Sequence, residues 1–87
     1  MTLFAFSFST EAMAQKKEEN SYNVNRALEC FRSEDYETAK DYLTKELAEN
    51  PKSAMAYDML GYIFLRDEAY GNALTSYNSS LKIQHMA

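Results

Sequence analysis

The chain is predicted to be all-helical, two antiparallel helix-turn-helix hairpins stacked side by side, and three observations predict it. Tyr57, Leu60, Gly61, Phe64 and Leu65 recur at helical spacing, and Tyr70, Ala73, Leu74, Tyr77 and Leu81 do so again after the polar break Arg66-Asp67-Glu68. Moving back 34 residues from Tyr70, Ala73, Tyr77 and Leu81 lands on Tyr36, Ala39, Leu43 and Leu47, and the same step takes Arg66 and Glu68 to Arg32 and Glu34. Between the two copies stands Asn50-Pro51, where asparagine tolerates the backbone of a helix end and proline cannot continue the helix.

The first element expected is a helix over about residues 21 to 33, with Val24, Ala27, Leu28 and Phe31 on one face at i, i+3, i+4 and i+7. Glu34-Asp35 makes the turn into a second helix over about 36 to 49. Ser53 is placed to cap a third helix over about 54 to 66. The fourth takes in about 70 to 83, with Gly71 in its first turn, where the conformational cost of glycine is smaller than in mid-helix. Residues 85 to 87 are expected as a tail too short for another helix, and nothing after the fourth helix covers Leu74 and Leu81, which are expected to be half exposed.

A 34-residue helix-turn-helix period with Tyr57, Leu60, Gly61, Phe64, Ala73 and Tyr77 at these spacings resembles the tetratricopeptide repeat, over about residues 22–51 and 54–84. Gly61 and Ala73 are the expected close-approach points between the helices of one hairpin, with Tyr57, Phe64 and Tyr77 filling the remaining space. In the first copy Ala27 replaces the glycine, Ala39 is kept, Leu43 replaces the aromatic, and Pro51 matches the proline between repeats, whereas Asn23 and Arg26 depart from the pattern. The resemblance implies a short solenoid whose first helices line a groove. Facing it would be Val24, Leu28, Phe31 and Arg32 from one copy and Asp58, Tyr62, Leu65 and Arg66 from the other. Aliphatic and aromatic anchors edged by charges suit a peptide segment of a partner protein. For Val24, Leu28 and Phe31 the competing reading is core packing. Relatives that clamp an acidic chaperone tail do so with Lys and Asn on these helices; here the matching positions hold Val24, Asn25 and Leu28, then Asp58, Met59 and Tyr62, and only Asn25 fits.

Residues 1–14 differ from the rest, with an apolar run at Leu3, Phe4, Ala5, Phe6 and Phe8 followed by Ala12-Met13-Ala14. This reads as the later part of a secretory signal cleaved between Ala14 and Gln15, followed by a charged linker over 15–21. The alternative is a short strand, since Phe4, Phe6 and Phe8 alternate with small residues. The run is far shorter than the roughly 20 residues of a membrane-spanning helix. Export to a bacterial periplasm or cell envelope is therefore expected, with a cytoplasmic location as the alternative.

A formal charge of −4 with interspersed signs and no Lys/Arg-rich run argues against nucleic-acid binding. Cys30 is the one cysteine and His85 the one histidine, so neither an internal disulfide nor a metal cluster is expected. Glu34-Asp35 and Asp67-Glu68 are acidic pairs at turns, two glycines cannot build a phosphate-binding loop, and Asn78-Ser79-Ser80 is a glycosylation triplet inside an expected helix. No catalytic residues and no cofactor are expected. The function expected is a non-enzymatic interaction module, a scaffold or assembly protein. The alternatives are a homo-oligomer assembled through exposed repeat edges and the recognition domain of a longer exported enzyme.

Overall fold

The computed structural model describes residues 21–86. The expected export signal over 1–14 and nearly all of the linker lie outside them. Four helices follow one another: α1 (Tyr22–Arg32), α2 (Tyr36–Glu49), α3 (Ala54–Arg66) and α4 (Tyr70–Met86). The first three match the expected bounds to within a residue because local side chains set their starts. Ser21, Asp35 and Ser53 each accept a hydrogen bond from the backbone N–H three residues on, at 3.2, 3.3 and 3.2 Å. α4 departs from expectation, running three residues further through His85 to Met86. No breaker follows Gly71, and the Gln84 side-chain amide donates to Ser80 Oγ across one turn at 2.9 Å.

The same turn closes both hairpins. Glu34 and Glu68 take left-handed φ values of 59° and 63°. Around them the Asp35 and Ala69 N–H groups reach back to the carbonyls of Cys30 and Phe64, both at 2.8 Å, while Glu34 and Glu68 N–H bond to Phe31 and Leu65. This double bonding absorbs carbonyls that a helix end otherwise leaves unpaired. Connections this short force each helix to run back along the one before it.

The helices pack in a row, α1 on α2, α2 on α3 and α3 on α4. The core is Val24 and Ala27 from α1, Ala39 and Leu43 from α2, and Ala56, Met59, Leu60 and Ile63 from α3. α4 contributes mostly small buried residues, Ala73, Ser76 and Ser80. Gly61 has a steric reason: a Cβ there would lie 2.8 Å from the Tyr77 ring. The approach is thus between α3 backbone and an α4 side chain.

Polar residues join α1 to α2. The Ser21 hydroxyl donates to the carboxylate of Glu46, which is only 3 % exposed. Asn23, buried in α1, donates to Glu49 at 3.3 Å. Arg26 pairs with Glu29 at 2.8 Å and lies over the Tyr42 ring, while its Nε is buried without a partner. The two residues that depart from the repeat pattern, Asn23 and Arg26, are accommodated by α2 side chains. Among the described residues no helix is long and apolar enough to cross a membrane.

Candidate functional site

The C-terminal ends of α1 and α3 come together with the first residue of α2, and three aromatic rings meet there. Phe31 lies edge-on to Tyr36 with ring centroids 5.2 Å apart, Phe31 and Tyr62 are 5.7 Å apart, and Tyr36 and Tyr62 are 6.0 Å apart. The Arg66 guanidinium sits 4.5 Å above the Tyr36 ring, within cation–π range. Helical spacing carries Tyr62, Leu65 and Arg66 around one side of α3, and the turn through Glu34 returns the chain so that Tyr36 stands beside Phe31. Tyr62 and Leu65 remain 41 % and 46 % exposed.

Burial pushes the Tyr36 phenol above its ordinary pKa of 10.0; neighbouring Tyr62 adds to the rise and Arg66 opposes it. Tyr36 is thus a neutral hydroxyl at physiological pH, able to donate or accept a hydrogen bond. Rings, a guanidinium stacked on one of them and an exposed leucine give this face apolar contact area together with a positive charge. They provide no nucleophile paired with a base.

Of the eight residues expected to face a groove, the structure gathers Phe31, Tyr62 and Arg66 in this cluster, with Leu65 exposed one residue from Arg66. Val24 belongs to the core instead. At 2 % exposure it is packed among Ala27, Ala39 and Leu43 and cannot line an open surface. Leu28 and Phe31 are half-buried against that core, so Phe31 serves both packing and the cluster. Arg32 and Asp58 are exposed and make no hydrogen bond or ion pair with the cluster. Tyr36 was not among the expected residues. Its signal was the 34-residue match to Tyr70, which marks a helix start; nothing local announces that the turn sets it against Phe31.

A second aromatic group lies toward the start of α1. The Tyr42 ring carries Arg26 at 5.6 Å and Lys45 at 5.5 Å, with Tyr22 edge-on at 6.4 Å. Arg26 is already paired with Glu29, which leaves this group less able to take an anion. Cys30 is half-buried against the core, and His85 lies in the last turn of α4. Asn78-Ser79-Ser80 sits within α4 with Ser80 buried. Among the described residues no three His, Cys, Asp or Glu side chains are grouped to hold a metal ion. Compared with known proteins, the chain matches no family model, no curated protein and no solved structure.

Proposed function

We propose that this chain is a tetratricopeptide-like interaction module that binds a segment of a partner protein on the α1–α3 face. The observation that carries the reading is the cluster of Phe31, Tyr36 and Tyr62 under Arg66, open to solvent at Tyr62 and Leu65. Exposed aromatic and arginine side chains held by packed neighbours are the residue types that dominate protein-binding energetics. Phe31 and Tyr36 are half-buried and packed against the core, which limits the side-chain entropy those two rings lose on binding. The repeat reading is supported by the two hairpin turns, which carry left-handed glutamates 34 residues apart and the same hydrogen bonds. The module is proposed to work in a bacterial cell envelope, on the strength of the apolar run and small-residue site within residues 1–14.

The test is to pan the full chain against a displayed library of random peptides. Enriched peptides are expected to carry aromatic or aliphatic anchors with an acidic residue for Arg66. Tyr62→Ala and Arg66→Ala should each weaken their binding at least tenfold with helicity unchanged. Absence of enrichment, or peptides indifferent to both substitutions, would overturn the reading.

A further inference from the structure

α4 leaves most of its large apolar side chains exposed, outside its contact with α3. Its buried face is made of Ala73, Ser76 and Ser80, with Tyr77 filling the space beside Gly61. Tyr70, Leu74 and Leu81 are each 62 % exposed. At 3.6 residues per turn these three fall within an arc of roughly 40°, with His85 next to them. An open apolar hollow lined by Leu81, Lys82, His85 and Met86 continues the stripe to the helix end.

The positions 34 residues earlier show what such a face does when it is covered. Lys40, the counterpart of Leu74, reaches Asp67 just past the end of α3 at 3.8 Å and the Phe64 ring on α3 at 5.7 Å, and Leu47, the counterpart of Leu81, packs on the core. α4 thus offers to solvent the face by which α2 holds α3, in a more apolar form. The other end of the row offers no match for it. The outer side of α1 exposes Asn25, Glu29 and Ser33 around a single large ring, Tyr22, and stacking leucines on Glu29, which pairs with Arg26, would cost its solvation. Among the described residues, the stripe is itself a surface of matching apolar character and length.

We propose that two copies of this chain associate through the outer faces of α4, antiparallel about a two-fold axis. Charge sets the direction. α4 contains no acidic residue, its cation Lys82 and its His85 stand near the C-terminal end, and the exposed Glu68 stands just before the N-terminal end. Antiparallel packing brings each basic end toward the partner's acidic turn and opposes the two helix dipoles, whereas parallel packing sets Lys82 against Lys82. An axis passing between Tyr77 and Asn78 sets Leu74 against the partner's Leu81, twice by symmetry, and Tyr70 against the partner's His85. The α1–α3 face takes no part, so the dimer stands or falls independently of the binding reading above.

The test is the solution mass of the full chain by light scattering from micromolar to millimolar concentration, with helicity followed by circular dichroism. The mass is expected to rise toward twice the 10.0 kDa of one chain. Leu74→Glu and Leu81→Glu, both at exposed positions, should weaken association at least tenfold and keep the helicity. In a Cys30→Ser background, Asn78→Cys should oxidise to a linked dimer faster than Asn25→Cys on α1. A mass of one chain throughout, a mass that grows past two chains, a dimer indifferent to Leu81→Glu, or equal linking at both cysteines would each overturn the proposal.

Discussion

Gly61 and Gly71 are both helical and neither has a positive φ, yet their surroundings demand opposite outcomes from the same substitution. A methyl group on Gly61 meets three carbons of the Tyr77 ring at 2.8 to 2.9 Å, and that ring is itself half-buried. Gly61→Ala should therefore destabilise the fold by about 1–3 kcal/mol through overpacking. A methyl group on Gly71 meets nothing within 4 Å. Gly71→Ala should stabilise by up to about 1 kcal/mol, since it only removes backbone freedom from the unfolded chain. Urea unfolding of the two variants beside the parent checks both signs, and a loss from Gly71→Ala would mean that the α4 start is covered by something else. Gly61 as a close-approach position was legible from its spacing to Leu60, Phe64 and Ala73. That its neighbour is the Tyr77 ring was not, because spacing along α3 carries no information about the rotamer of a side chain on α4.

At the scale of the element, the starts of the first three helices are the best-specified features of the chain. Each of these has a capping side chain three residues ahead of the N–H it serves, and a signal confined to four residues needs no tertiary structure to be read. The hairpin turns are less economical. A left-handed backbone costs a residue with a Cβ about 1–2 kcal/mol, and both turns place a glutamate there. Neither glutamate side chain makes a hydrogen bond or an ion pair within the described chain, and nothing in these turns explains the choice over glycine. Glu34→Gly is expected to gain about 1 kcal/mol, read as a rise in the thermal midpoint with helicity unchanged. A lower midpoint would show that the Glu34 side chain has a role its surroundings do not reveal. α4 ends beyond the position expected from the sequence for a related reason: without Pro or Gly to stop it, only the continuing backbone and the Gln84–Ser80 bond show where the helix goes.

At the scale of the whole molecule, the two hairpins are held together where α2 meets α3, around Leu43 and Ile63, which are 0 % and 1 % exposed. Leu43→Ala leaves a cavity at this junction and should cost about 2–5 kcal/mol. Small domains have little more than that, about 5 kcal/mol at the low end, so the variant should lose helicity over both hairpins in one transition on mild heating. Two transitions would mean that each hairpin folds alone. The sequence by itself determined where the first three helices lie, how they start, and that a fourth follows, because capping and 3.6-residue periodicity act within a few residues of chain. Tertiary structure alone decided that Val24 is core, that Asn23 and Arg26 are tolerated through Glu49 and Tyr42, and that Phe31, Tyr36, Tyr62 and Arg66 form one cluster. The exposure of Leu74 and Leu81, 62 % each, was by contrast expected from the sequence. The physical reason is common to all that tertiary structure decided. Periodicity orients a side chain about the axis of its own helix, whereas exposure and partners depend on what the neighbouring helices put on the other side.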